Sequence, residues 1–252
     1  MKKNPASVLF QEIQTIRSTS SPEQWKSLAS VYQYKLPYVK TLQYLNGTNN
    51  VLDWGCGNGH FSFFLVHQGC RTTGYSFEPY PEILKREPSF TFQSGSSSDA
   101  VHLPFSDSSF EAVFSIGVLE HVHERGGDQK ASVREIDRIL RKGGYFYCFH
   151  LPNRFSLVEF FVRGINRLFH KNLHEHSRRF DRKRITSLLE GTSFKIVEWG
   201  RYNFIPRNSL SKLPRFLCNT EWGVQLIEGL DAGLTFLFPF LCQNWYVIIK
   251  KD

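Results

Sequence analysis

The stretch from Val51 to Phe61, V-L-D-W-G-C-G-N-G-H-F, constrains this chain more than any other. A short apolar run that ends in an acid and continues as G-x-G-x-G predicts a strand that breaks sharply into a helix. Glycines at 55, 57 and 59 permit backbone conformations closed to other residues, and they remove side chains that would hold a ligand off the main chain. The helix that follows carries Phe61, Phe64 and Leu65 on one face and aims its N-terminal amides at the crevice, a setting for a nucleotide-like ligand. Spacing narrows the choice. A dinucleotide fingerprint would need its third glycine where His60 stands, and no Lys-Ser or Lys-Thr pair follows to make a phosphate-cradling loop.

Later segments continue the alternation of strand and helix. Arg71 to Tyr75 reads as a second strand, running into Ser76-Phe77-Glu78-Pro79. About twenty residues past the glycines is where folds of this kind place a ribose-binding acid. Ser76 holds that position here and Glu78 lies two residues on, so in an extended chain the two share a face. They either reach ribose hydroxyls or begin the next helix ahead of Pro79 and Pro81. Next come Asp99-Ala100-Val101-His102-Leu103-Pro104-Phe105 and, through Phe114, the entry to a fourth strand, which ends in Ser115-Ile116-Gly117-Val118-Leu119-Glu120-His121-Val122. A helix from about Asp128 carries Val133, Ile136 and Leu140 at helical spacing. Arg141-Lys142-Gly143-Gly144 would stop it with a left-handed glycine cap, before a fifth strand from Tyr145 to His150 and Leu151-Pro152-Asn153-Arg154.

In this order, D-x-G-x-G-x-G, D-A-x-x-L-P-F and V-L-E-H-V resemble the class I S-adenosylmethionine (SAM) dependent methyltransferases along nearly the whole chain. The overall string is most similar to the small-molecule branch related to ubiquinone-pathway and natural-product methyltransferases. The resemblance implies a Rossmann-like α/β fold with seven strands, mostly parallel with the last antiparallel, plus N-terminal helices and helical insertions. It also implies SAM as cofactor. Asp53 would serve its methionine end, and Gly55, Cys56, Gly57 and Gly59 would make room for it. Ser76, Phe77 and Glu78 would lie near the ribose, Asp99 would accept from the adenine amine beside Ala100, and Ser115 would close the end of strand four. Ser76 departs from the family, which carries an acid there.

A chain of 252 residues, 41% hydrophobic and rich in Phe, can bury a substantial core without staples. Its five cysteines are odd in number and scattered without C-x-x-C spacing, so neither disulfides nor a zinc site is expected. No apolar run is long enough to span a bilayer and no signal-peptide pattern opens the chain, so the expected location is the cytosol. The expected organisation is one methyltransferase domain over 1–252: a helical cap over 1–47, a SAM-binding core over 48–153, and helical insertions over 154–193 and 203–243 that shape an acceptor pocket. Ser21-Pro22-Glu23 would open the second helix of the cap, from which Tyr32, Tyr34 and Lys35 either touch cofactor or substrate, or pack the helix or face water.

The first insertion, Phe155 to Lys171, is amphipathic, and basic residues continue through Arg178, Arg179, Arg182, Lys183 and Arg184. It reads either as a lid packed on the core or as a helix lying on an anionic membrane surface, which would give a peripheral membrane contact through 155–171. The second insertion has apolar residues, among them Phe204, Leu210, Trp222, Leu226 and Phe236, numerous enough to line an acceptor pocket. His174-Glu175-His176 has no third ligand at a characteristic spacing, so no metal is expected. The same string resembles an H-E-H-x-R stretch that follows the fifth strand in many relatives, where it shapes the acceptor side.

The chemistry implied is methyl transfer to a small molecule, lipid-like or glycan-derived, with oxygen ahead of nitrogen or carbon as acceptor. His121 and His150 are the candidate bases, because imidazole titrates near neutrality and both follow predicted strand ends; Glu120 would orient a histidine. Enzymes that methylate base amines of nucleic acids often carry Asp or Asn followed by Pro-Pro-aromatic after strand four. Ser115-Ile116-Gly117-Val118 stands there instead, which argues against a nucleic-acid substrate. Two alternatives stay open: a SAM-binding protein without turnover, which the departure at Ser76 allows, and a nicotinamide-dependent oxidoreductase, which His60 opposes. The sequence does not indicate an oligomeric state.

Overall fold

β1 (Asn50–Trp54) is buried at every position after its first, as a strand covered on both faces of a parallel sheet must be. The structure is a computed structural model that describes residues 27–45, 47–96, 99–169 and 176–252. Among these, β1 joins β2 (Arg71–Ser76), β3 (Phe90–Ser94), β4 (Phe110–Ile116), β5 (Leu140–Pro152), β6 (Phe194–Tyr202) and β7 (Asn244–Lys251) in one sheet of order β3-β2-β1-β4-β5-β7-β6. β1 pairs in parallel with β2 and with β4, β2 with β3, and β4 with β5. β7 runs the other way. The Asp252 N–H donates to the Ser193 carbonyl just before β6, at 3.1 Å, while further back along β7 the Tyr246 hydroxyl meets Glu198, so the sheet is mixed and its last strand antiparallel. The chain travels outward through β2 and β3 and returns at β4 on the far side of β1, and that reversal leaves a crevice at the carboxyl ends of β1 and β4.

Two helices precede β1, α1 (Leu28–Val31) and α2 (Lys35–Tyr44), and the others lie between strands in the chain: α3 (His60–His67), α4 (Gln129–Ile139), α5 (Leu157–Phe169), α6 (Arg182–Leu188), α7 (Arg215–Cys218) and α8 (Glu221–Leu237). The chain divides into two compact units. One comprises residues 46–152, 178–200 and 245–252 and contains most of the sheet; the other comprises 1–45, 153–177 and 201–244.

In the sheet unit, α4 and α6 lay Val133, Ile136, Ile185 and Leu188 on a core with Leu52, Val113, Phe146, Val247 and Ile249. Phe61 of α3 packs on Phe64 and on Phe114, which stacks on Tyr147 with ring centroids 4.4 Å apart. Asp128 caps α4 by accepting from the Ala131 N–H at 2.8 Å. The end of α4 differs from the expected glycine cap: the helix stops at Ile139, and Leu140 is already extended. The physical reason is strand pairing. Leu140 pairs with Phe110, Tyr145 pairs with Ala112, and residues 141–144 are the irregularity between them, so Gly143 adopts its φ of +77° inside β5 and caps nothing.

The second unit is organised by buried polar groups. Arg207, 3% exposed, forms ion pairs with Glu228 and with Asp231, the latter at 3.0 Å, and Lys35 meets Glu228 at 3.0 Å. Asp231 also accepts from the Ile205 N–H at 2.7 Å. Asn153 is fully buried and donates to the carbonyls of Phe240 and Cys242 at 2.8 and 2.7 Å. Lys35 is thus engaged with α8, and Tyr32 is buried. Ser21-Pro22-Glu23, His174 and Glu175 lie outside the described residues; His176 is described, and its Nδ1 is 2.7 Å from the Glu159 carboxylate. Among the described residues no group of three His, Cys, Asp or Glu is placed to hold a metal, all five cysteines are free, and no helix is long and apolar enough to cross a membrane.

Candidate functional site

The turn after β1 is fixed from both sides. The Tyr75 carbonyl at the end of β2 accepts from Gly55 N–H at 2.7 Å and from Cys56 N–H at 3.1 Å, and Cys56 in turn accepts from Gly59 N–H. The glycines have separate tasks. A Cβ on Gly55 would stand 2.3 Å from a methyl of Val118, and one on Gly59 would meet Pro81 at 2.6 Å, so both allow close packing. Gly57, with φ of +48°, has only a carbonyl oxygen at 4.0 Å in the direction of a Cβ, and it lines the pocket. Asp53 stays behind the turn, buried, accepting from the Ser62 hydroxyl at 2.6 Å and so tying the end of β1 to α3. Burial pushes its carboxyl up to about 7, against the opposing hydrogen bonds from Ser62.

The pocket lies at the carboxyl ends of β1, β2 and β4. Its walls include the aromatic groups of Trp54, Tyr75 and Phe77, the Gly55–Gly57 turn, Ser76, Glu78, Ala100, Gly117, His121 and Arg125. The Ser76 hydroxyl accepts from the Glu78 N–H at 3.0 Å and bends the chain after β2; the next helical turn starts only at Glu82, so neither residue opens it. This local bond leaves Glu78 as the exposed carboxylate on the rim, where Arg125 meets it at 3.4 Å and also lies over the Phe77 ring at 5.7 Å. A glycine floor, an aromatic wall and one carboxylate suit a nucleoside with a ribose to be held.

Several expected site residues lie outside the pocket lining. Asp99 is exposed, and its carboxylate accepts from the Val101 and His102 N–H groups at 3.1 and 2.9 Å; those bonds, His102 first, hold its pKa below the usual carboxylate range. Ala100 next to it does face the pocket. Cys56, Gly59 and Ser115 are buried in the turn and the sheet, Ser115 opposite Cys148 in the β4–β5 register. The loop after Asp99 is braced on α4, where Glu135 accepts from Leu103 N–H at 2.9 Å and Arg138 donates to the carbonyls of Leu103 and Phe105.

The two candidate bases part ways. His121 lines the pocket, and its Nδ1 stands 2.8 Å from the Glu124 carboxylate, across a short turn (Val122–Arg125) that Gly126 ends in a left-handed conformation. His150 sits inside β5 with φ of +61°, and burial, aided by His60, pushes it down to about 3. Glu120 does not orient a histidine through any hydrogen bond seen here. It is 4% exposed, one of its oxygens has no hydrogen-bond partner among the described residues, and burial pushes it up to about 8. Sequence reasoning missed Gly117, Glu124 and Arg125. The signal was the Glu-Arg-Gly-Gly run at 124–127, which forces a tight turn right after His121.

The buried carboxylic acid has a measurable signature. The unfolded chain releases the Glu120 proton near the ordinary glutamate value, whereas the folded chain holds it to about 8, so the associated stability is lost as pH rises between them. Glu120→Gln is expected to be more stable than the parent at about pH 8.5, by roughly 1–4 kcal/mol, with the gap closing towards about pH 5. Urea denaturation at both pH values checks this; a gap independent of pH would contradict a neutral Glu120.

Residues 52–148 match a family model described as a methyltransferase domain. Among curated proteins, the methyltransferase GfsG of Streptomyces halstedii is 30% identical over 122 residues, 46% of this chain and 39% of its own length. The match thus spans about two fifths of that relative. Among solved structures, the 1,6-didemethyltoxoflavin-N1-methyltransferase of Burkholderia thailandensis, with bound 1,6-didemethyltoxoflavin and S-adenosylhomocysteine, superposes with a TM-score of 0.58. It is 16% identical, and the superposition covers 98% of this chain and 88% of that one. A SAM-dependent methyltransferase of Thermotoga maritima, a possible histamine N-methyltransferase, superposes with a TM-score of 0.56 at 17% identity, covering 98% and 99%. Residues 52–148 are thus similar to the methyltransferase domain family, and the fold around them is the one seen in these SAM-dependent methyltransferase structures.

Proposed function

We propose that this chain transfers a methyl group from SAM to a small-molecule acceptor, at a hydroxyl oxygen of a lipid-like or glycan-derived skeleton. The observation that carries this reading is the meeting of Gly57, Phe77, Glu78 and His121 around one pocket at the strand reversal. Gly57 gives the cofactor main-chain access, Phe77 offers a face to adenine, and Glu78 accepts from the ribose hydroxyls. Bound there, SAM supplies a methyl already activated on a sulfonium, so positioning and exclusion of water carry much of the acceleration. His121 supplies the group a hydroxyl acceptor needs. With its Nδ1–H directed at Glu124, its Nε2 takes the proton as the oxygen becomes nucleophilic, and the carboxylate steadies the imidazolium.

The test is methyl transfer from labelled SAM to fractionated metabolites. Label in hydroxylated lipid or glycan fractions supports the reading, label confined to amines overturns oxygen as the acceptor, and tight SAM binding without transfer to any fraction favours a protein without turnover. The cofactor half is tested separately. Glu78→Gln removes a charge-assisted hydrogen bond and is expected to weaken SAM binding by about tenfold or more. Asp99→Asn leaves the affinity unchanged, because its carboxylate serves the local turn. Calorimetric titration of the two variants decides between these carboxylates.

A further inference from the structure

α8 is built inside out. Its charged residues Glu228 and Asp231 turn inward onto Arg207 and Lys35, while the outward positions from Trp222 onward carry no charge. Trp222, Leu226, Leu230 and Phe236 are 63, 46, 56 and 85% exposed, and Phe238 and Phe240 continue the surface beyond the helix. Gly229 and Gly233, on the same side, have open space where a side chain would stand. A helix turned to water on that side would place its carboxylates outward and its phenylalanines inward; here the carboxylates lie inward on Arg207 and the apolar side chains outward. α5, in the same unit, repeats the arrangement. Glu159 is buried against His176, while Phe160, Phe161, Leu168 and Phe169 are exposed.

We infer that the outward face of α7 and α8, extended by the turn to Phe240, docks this protein on an anionic lipid bilayer. Charge complementarity selects that occupant. Lys212 and Arg215 are exposed immediately before the apolar face, next to the exposed Phe216, and Glu221 is the one exposed acid between 212 and 240. Cations beside aromatic and aliphatic groups match headgroups lying over acyl chains: the apolar side chains enter the boundary, and the basic ones stay among the phosphates. This docking face lies on α7 and α8, apart in sequence from the membrane contact expected through 155–171.

Vesicle sedimentation of the full chain without cofactor tests the inference, and because no methyl transfer is read, its failure is distinct from failure of the proposed reaction. The protein is expected to sediment with vesicles containing phosphatidylserine and much less with pure phosphatidylcholine. The Leu230→Glu/Phe236→Glu variant should lower the bound fraction by about tenfold with an unchanged thermal transition, since both side chains are exposed. Lys212→Glu/Arg215→Glu should abolish the preference for the anionic lipid. No binding by the parent chain, or binding and lipid preference in both variants equal to the parent's, overturns the inference. So does a dimer in solution that the Leu230→Glu/Phe236→Glu variant splits while vesicle binding stays absent, which would assign the face to a second copy.

Discussion

Gly57→Leu is expected to raise the Kd for SAM by more than about a hundredfold, the loss of at least roughly 3 kcal/mol of binding, with the fold retained. The argument rests on direction. A side chain at position 57 has no protein atom closer than a carbonyl oxygen 4.0 Å from its Cβ, so it extends into the pocket and occupies the place a cofactor needs. The backbone cost is that of holding leucine at φ of +48°, about 1–2 kcal/mol. Gly55→Leu is the contrasting variant: its Cβ would collide with Val118 at 2.3 Å, so it loses folding and binding together. Calorimetry with SAM and a thermal melt, run on both, separate the two roles. Retained affinity in Gly57→Leu, with the melt intact, would remove the cofactor from this turn.

The distinction between those glycines also shows where sequence reasoning reaches its limit. The strand-turn-helix at 51–61 and the capped helix from Asp128 were legible, because local periodicity and turn chemistry agree there with the tertiary fold. The end of α4 was not legible, since two glycines after a basic pair describe a helix cap equally well. Only the pairing of Leu140 with Phe110, thirty residues away in sequence, decides for a strand. Asp99 illustrates a second limit: its position in a motif says which loop it occupies, but an Asx-type bond to the next N–H groups decides where its carboxylate points. The inversion of α8 is a third. Its sequence is amphipathic either way, and which face turns inward depends on Arg207, which waits in another segment with a buried guanidinium.

The same kind of long-range information separates the two histidines, and His121→Ala is expected to lower kcat by about 10²–10⁴ if a proton must leave the acceptor in the transition state. SAM affinity should change little, because the loss falls on proton transfer. Glu124→Gln should give a smaller fall in kcat, since the amide still holds the ring but no longer stabilises the imidazolium. His150 predicts a different pattern. Its Nε2 is buried and burial holds the ring uncharged down to about 3, so it is a weak base near neutral pH, and its left-handed φ stores strain. His150→Asn, whose side chain tolerates that backbone conformation, should therefore alter the thermal transition while leaving kcat within a few-fold. The discriminating measurement is kcat for the three variants at saturating SAM, beside their melting curves. Full activity in His121→Ala, or a collapse of kcat in His150→Asn without loss of stability, would move the base from the end of β4 to the end of β5.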